Sequence, residues 1–305
     1  MKKIITFALT LFCVVSLQAK GDLHLLSADN KNAAITPETI EAAFSSNGFS
    51  IGVNSEMNLP FTKQFKQTDF KVFTLLTVFE TKLSKDLIKA YPQAGVFIPM
   101  GIGIYQKKNE DTIHVSFLTA EAQAKILGTD TKILAKIETN VLKALNAALT
   151  NAKHTLSEDS LQESRKLVTL YEMDLDGEDW EESKEEFEMN LEAGFDPLGF
   201  VMPGFMDINE EVIVDASESP YDFYDTYSIC KLKVIYTVAK SRPEASAFAP
   251  CTTIVYKKKD EDKIVVGFPA VYNWMSSAKV EDKEAKAVLM KAQSDFESIL
   301  KDVTE

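Results

Sequence analysis

Shifted by 151 residues, the chain matches itself. Pro92-Gln-Ala-Gly-Val-Phe-Ile-Pro99 falls on Pro243-Glu-Ala-Ser-Ala-Phe-Ala-Pro250, and Tyr105-Gln-Lys-Lys-Asn-Glu-Asp-Thr-Ile113 falls on Tyr256-Lys-Lys-Lys-Asp-Glu-Asp-Lys-Ile264. From Pro92 to Phe117, 12 of 26 positions are identical without a gap. Self-similarity of this kind marks a tandem duplication, so any fold assigned to one half must also serve the other. The register runs backwards, Phe73 onto Tyr224 and Val78 onto Ile229. It also runs forwards, Ile137, Val141, Leu145 and Leu149 onto Val288, Ala292, Phe296 and Leu300. The four-residue step of that last set predicts an amphipathic helix at the end of each copy. The first copy spans residues 20–150 and the second 166–305, with the polar, Ser- and Glu-rich stretch 151–165 as linker.

Within a copy, the same order of signals appears twice. Leu23 to Leu26 and Leu167 to Leu175 predict opening strands, followed by helices at Pro37–Ser46 and Trp180–Glu192. Thr36 is a suitable helix start, because its hydroxyl accepts an orphan backbone N–H, and Pro37 suits the first helical position, where an N–H has no partner. A strand begins near Phe49 or Leu198, and another covers Val72–Phe79 or Phe223–Cys230. After a short helix before Pro92 or Pro243 comes a hairpin, Val96–Tyr105 with Ile113–Phe117 and Ala247–Tyr256 with Ile264–Phe268, turned by Lys-Asn-Glu-Asp and Lys-Asp-Glu-Asp segments. The predicted fold class is α+β: two tandem copies of an antiparallel sheet with helices on one face.

Lys2 and Lys3, the apolar stretch Ile4–Leu17 and the small Ala19 have the form of a secretory signal peptide over residues 1–19. Its 14-residue apolar stretch is shorter than the roughly 20 residues needed to span a bilayer. Cys13 is expected to leave with it. The mature chain then carries 31 bases and 46 acids, a net charge of −15. That charge opposes unaided binding to phosphate backbones and excludes nucleic acid from the expected partners. No later apolar run is long enough to cross a membrane, so the expected location is periplasmic or secreted. Cys230 and Cys251 remain, an even number in a compartment where disulfides persist; they either bridge or stay as two free thiols.

The second copy's Tyr227-Ser-Ile-Cys230, Arg242-Pro243-Glu244 and Phe248-Ala-Pro250-Cys251-Thr-Thr-Ile-Val-Tyr256, ahead of an acidic turn and Ile264-Val-Val266, resemble the domain-of-unknown-function 302 family. That family's pattern places a cysteine at the end of one strand and a Pro-Cys pair 21 residues later, the spacing of Cys230 and Cys251. The first copy is a degenerate version, with Phe79 and Met100 at the cysteine positions. The resemblance implies a fold like that of the TATA-box-binding protein and members that tend to pair, here as an internal pseudo-dimer of the two copies. It implies no activity.

Catalytic and metal signals are sparse. There is no glycine-rich phosphate loop, serine elbow or zinc spacing. His24, His114 and His154 are scattered along the chain and are not assigned to a metal site. Asp174-Leu-Asp-Gly-Glu-Asp179 has its glycine at the wrong place for a calcium loop and reads as a solvated helix start. Met202 and Met206 read as core residues rather than copper ligands. With Arg165 and Arg242 as the only arginines, bidentate anion recognition is scarcely available. No catalytic residue and no cofactor is predicted.

A comparison of the copies is more informative. Ala247, Ala249, Cys251, Thr253 and Val255, read as one face of a strand, replace Val96, Ile98, Met100, Ile102 and Ile104. On the strand of Cys230, Tyr224, Thr226, Ser228 and Cys230 replace Phe73, Leu75, Thr77 and Phe79. Smaller side chains in a close-packed interior leave a void, are compensated from elsewhere or admit a ligand. Trp274, Tyr272, Phe296 and Tyr236 are available to compensate. The reading is an exported, non-enzymatic protein that binds a small molecule or a periplasmic protein in a small, partly polar pocket of the second copy. Tyr224, Thr226, Ser228, Cys230, Cys251 and Thr253 form that pocket, and the first copy is a structural partner. The alternative is a thiol-redox or soft-metal protein using Cys230 and Cys251.

Overall fold

The computed structural model describes residues 21–162 and 166–305; the expected signal peptide with its Cys13, and Arg165, lie outside the described residues. The first copy contains β1 (Leu23–Asp29), α1 (Pro37–Ser46), β2 (Ser50–Glu56), α2 (Asn58–Phe65), β3 (Phe70–Phe79), α3 (Thr81–Ala90), β4 (Met100–Lys107), β5 (Thr112–Leu118), α4 (Ala120–Leu127) and α5 (Lys132–Ala148). A further strand, β6 (Lys153–Leu156), follows. The second copy contains β7 (Val168–Asp174), α6 (Trp180–Phe195), β8 (Val201–Asp207), β9 (Tyr221–Cys230), α7 (Leu232–Ser241), β10 (Cys251–Lys258), β11 (Lys263–Pro269), α8 (Tyr272–Ser277) and α9 (Lys283–Thr304).

Both sheets are antiparallel, in the orders β2-β3-β4-β5-β1-β6 and β8-β9-β10-β11-β7. Apart from β6 the two orders are the same, as duplication requires. The fold class is therefore α+β with two like sheets. Its description as TATA-box-binding-protein-like rests on the resemblance alone. Local signals explain the helix starts. Thr36 caps α1 in a reciprocal capping box with Thr39, and Pro37 occupies the first turn. Asp179 caps α6 by accepting from the Glu181 N–H at 2.8 Å, so the acidic run before it serves a helix start.

The structure corrects the strand boundaries of the hairpins. Val96–Pro99 and Ala247–Pro250 are not strand: Pro92–Phe97 and Pro243–Phe248 form tight helical turns, and β4 and β10 begin at Met100 and Cys251. Pro99 and Pro250 lack the N–H that a ladder position must donate, so pairing starts beyond them. The linker is likewise not wholly irregular. Its Lys153–Leu156 pairs with β1 and extends the first sheet.

Each sheet turns one face to its own helices and the other to the opposite copy, and the contacts between copies are reciprocal. The Pro243–Phe248 turn lies on β4 and β5, while the Pro92–Phe97 turn lies on β10 and β11. Helix α2 packs on α7, while the helical turn Asn209–Ile213 packs on α3. Hydrogen bonds cross the boundary from Ser116 Oγ to Glu244 O (2.9 Å), Tyr221 Oη to Ile88 O (3.0 Å) and Thr252 Oγ1 to Pro99 O (3.3 Å). Both hydrophobic cores draw on both copies. One joins Phe61, Phe73 and Tyr105 to Tyr236 and Phe248, and the other joins Ile102 and Phe117 to Tyr221, Tyr224 and Ile254.

Candidate functional site

The end of β9, the start of β10 and helices α7, α8 and α9 enclose a pocket of about 50 Å³ in the second copy. Its wall includes Ile229, Cys230, Ala249, Cys251, Phe268, Trp274 and Phe296 and is apolar apart from the two thiols, Lys231 and Gln293. At the equivalent positions of the first copy, Phe79, Ile98 and Met100 fill the core and are buried. Replacing them with Cys230, Ala249 and Cys251 removes volume that the fold does not wholly recover. Part of it is refilled: Trp274 stands where the first copy has Gln123, and Phe296 where it has Leu145.

Strand register divides the six residues singled out from the sequence. Cys251 pairs with Ile229 rather than Cys230, Thr252 with Ser228, Ile254 with Thr226 and Tyr256 with Tyr224. Cross-strand partners share a face. Cys251 and Thr253 therefore look toward the helices of their own copy, while Tyr224, Thr226 and Ser228 look toward the first copy. Tyr224 Oη donates to Pro92 O there, which makes this tyrosine part of the contact between copies. Cys230 still reaches the pocket because it is the last residue of β9, where the chain turns into α7. The structure thus brings together Cys230, Cys251 and Ala249 at one pocket and leaves Tyr224, Thr226 and Ser228 behind the sheet.

Cys230 and Cys251 are free thiols. Both residues keep some exposed surface where they line the pocket, but the dense protein around the sulfur atoms pushes each thiol up to about 12, with Cys230 adding to the effect on Cys251. Burial disfavours the thiolate, so both are protonated at neutral pH and weak as nucleophiles. Gln293 is fully engaged, accepting from the Val271 N–H (3.0 Å) and donating to Thr169 Oγ1 (3.2 Å) and Glu297 Oε1 (2.7 Å). The buried indole N–H of Trp274 has no hydrogen-bond partner among the described residues. Lys231 Nζ pairs with Asp295 at 2.8 Å and lies over the Phe200 ring.

Two polar clusters were not legible in the sequence. His24 Nδ1 lies 2.8 Å from His154 Nε2, and His24 Nε2 lies 2.7 Å from Glu138 Oε1, which also accepts from the Ala120 N–H at 2.9 Å. A carboxylate only accepts, so His24 donates to Glu138 from Nε2. These histidines are not scattered in space, because β6 lays His154 beside β1. The second cluster joins Lys184 Nζ to Asp225 Oδ2 at 2.6 Å and to Glu188 Oε1 at 3.6 Å, and Tyr227 Oη donates to Glu188. Neither forms a group of three or more His, Cys, Asp or Glu side chains suited to a metal ion, and no such group occurs among the described residues. No helix among these residues is long and apolar enough to cross a membrane.

Comparison with known proteins agrees with the duplication. The profile of the family "Domain of unknown function DUF302" matches residues 27–152 and again 179–303. A search of curated proteins finds no match. Among solved structures, the crystal structure of the uncharacterized conserved protein DUF302 from Bacillus stearothermophilus is similar at 14% identity and a TM-score of 0.37. That match covers 46% of this chain and 100% of the other.

Proposed function

This chain belongs to the DUF302 family, a domain of unknown function, in both of its halves, and we propose that it is an exported, non-enzymatic binding protein. In this reading the second copy takes a small, largely apolar ligand, or an apolar side chain of a protein partner, in the pocket beside Cys230 and Cys251. The first copy is its structural partner. The observation that carries the reading is the loss of Phe79, Ile98 and Met100 equivalents around a space that Trp274 and Phe296 refill only in part. A space of about 50 Å³ exceeds the ~10–15 Å³ that one water needs, and apolar cavities of this kind take up apolar guests rather than water. The basic start and apolar stretch of residues 2–17 support export.

Xenon is a suitable probe of the pocket. Saturating the protein with xenon is expected to shift the NMR signals of Ile229, Val234 and Ala249, and Ala249→Ile, which restores the first copy's residue, is expected to remove that response while the chain stays folded. Lining residues that do not respond to xenon in the parent chain would count against the pocket as a site. The alternative reading, thiol-redox or soft-metal chemistry, has in its favour that both thiols meet at one pocket. A thiol pushed up to about 12 leaves roughly one molecule in 100,000 as thiolate at pH 7, which opposes redox use. Titration with silver(I) against a competing chelator separates the readings. One ion bound per chain, lost in Cys230→Ser and Cys251→Ser, would favour the soft metal.

A further inference from the structure

A symmetric pair makes each interface contact twice. In this chain the two versions of one contact differ in a complementary way. Where the second copy's turn lies on the first copy's sheet, Ser246 sits over Gly103, and a Cβ at Gly103 would be 1.9 Å from Ser246 Oγ and 2.8 Å from Ser116 Oγ. Gly103 and Ser116 are cross-strand partners. Where the first copy's turn lies on the second copy's sheet, Gly95 takes the place of Ser246, Ile254 that of Gly103, and Gly267 that of Ser116. A Cβ at Gly95 would be 2.1 Å from Tyr224 Oη and 2.9 Å from Ile254 Cγ2. One half of the interface is therefore built as Ser, Gly, Ser and the other as Gly, Ile, Gly.

Neither copy can make this contact with itself. A second copy facing a second copy would set the Ser246 side chain over Tyr224 and Ile254, where the space at Gly95 admits no Cβ. A first copy facing a first copy would set Gly95 over Gly103 and leave a gap where Ile254 or Ser246 now fills the contact. We propose that the interface is selective for unlike copies. The sheet face carrying Gly101, Gly103 and Ser116 accepts the turn of a second copy, and the face carrying Tyr224 and Ile254 accepts the turn of a first copy. Like-with-like pairing through these faces is disfavoured, by a clash for two second copies and by a void for two first copies, and the first copy persists as the dedicated partner of the second. The inference is independent of what the pocket binds.

A mutant cycle on the full chain tests it. Gly103→Ala is expected to lower Tm by more than about 5 °C, and adding Ser246→Gly is expected to recover at least half of the loss, because the clash and its relief lie in one contact. Gly95→Ser is expected to lower Tm as well, but Ser246→Gly should give it no recovery, since those two residues belong to different halves of the interface. Additive effects of Gly103→Ala and Ser246→Gly, or equal recovery of Gly95→Ser, would overturn the proposal. If Gly103→Ala alone yields no folded protein, the triple variant Gly103→Ala/Ser116→Gly/Ser246→Gly carries the test. Its folding supports the inference, and its failure to fold refutes it.

Discussion

Asp225 is a buried carboxyl in the second copy. Its side chain is 1% exposed and ion-paired with Lys184 at 2.6 Å. Burial pushes its carboxyl up to about 6; Lys184 pulls the other way, and Asp207 and Glu188 add to the rise. The folded chain therefore holds this proton more tightly than the unfolded chain, whose carboxyl titrates near 4. The contribution to stability is complete below about pH 4 and is lost as the pH rises through 6, a change of about 3 kcal/mol. Asp225→Asn keeps the shape without the titration, so the stability difference between variant and parent is expected to grow in the variant's favour from pH 4 to 7.5. A difference that stays flat across that range would refute the assignment. His154 acts in the opposite sense: burial and the neighbouring His24 lower its pKa, so its share of stability is lost as the pH falls below about 6.5, and it cancels in the comparison. At this scale the sequence was partly legible. Cys230, Ala249 and Cys251 stood out because small residues replaced Phe79, Ile98 and Met100. Tyr224, Thr226 and Ser228 lie on the sheet face turned to the first copy, which the sequence did not show because alternation along one strand does not reveal which residue of its neighbour it pairs with. The Asp225 and His24 clusters join residues 41 and 130 positions apart, and no local pattern reports such a pairing.

Secondary-structure elements were legible where their signals are local. Thr36-Pro37 fixed the start of α1, and the duplicated acidic segments fixed the hairpin turns. The prolines that end the ladder, Pro99 and Pro250, were overridden by the apolar alternation around them. Helix α2 was missed for a different reason: at eight residues it is too short to show a clear helical period, and its apolar side chains pack on both its own sheet and the other copy. Phe61 is fully buried, with its ring 5.5 Å from Phe73 of its own sheet and 4.9 Å from Tyr236 on α7. Phe65 stacks on the same tyrosine at 4.4 Å. Truncating a buried phenylalanine loses transfer free energy and opens a cavity, so Phe61→Ala is expected to cost about 3–5 kcal/mol in denaturant unfolding. The same change at Leu59, one of the most exposed apolar residues of α2, is expected to stay within about 0.5 kcal/mol. Equal costs at the two positions would show that α2 does not anchor one copy to the other.

At the scale of the whole chain, the duplication announced two equivalent folds but not how tightly they are joined. Separate domains linked by a tether keep separate cores and melt independently. Here neither core belongs to one copy. Phe61, Phe73 and Tyr105 share a cluster with the helices of the second copy, and Tyr221, Tyr224 and Ile254 share one with the helices of the first. The reciprocal turns and the main-chain acceptors at Ile88, Pro99 and Glu244 tie the same boundary with buried and half-buried hydrogen bonds. Losing either copy would leave the other with apolar surface and unpaired polar groups exposed at once, so an intermediate with one copy folded is disfavoured by both terms. Calorimetric unfolding of the chain from residue 20 onward is therefore expected to show one transition, with calorimetric and van't Hoff enthalpies in agreement. Ile98→Ala, a truncation of a first-copy residue in one of the shared cores worth about 2–5 kcal/mol, is expected to move that single transition to lower temperature as a whole. A split into a shifted first-copy melt and an unshifted second-copy melt would mean that the copies fold as independent units and that the shared cores contribute little to cooperativity.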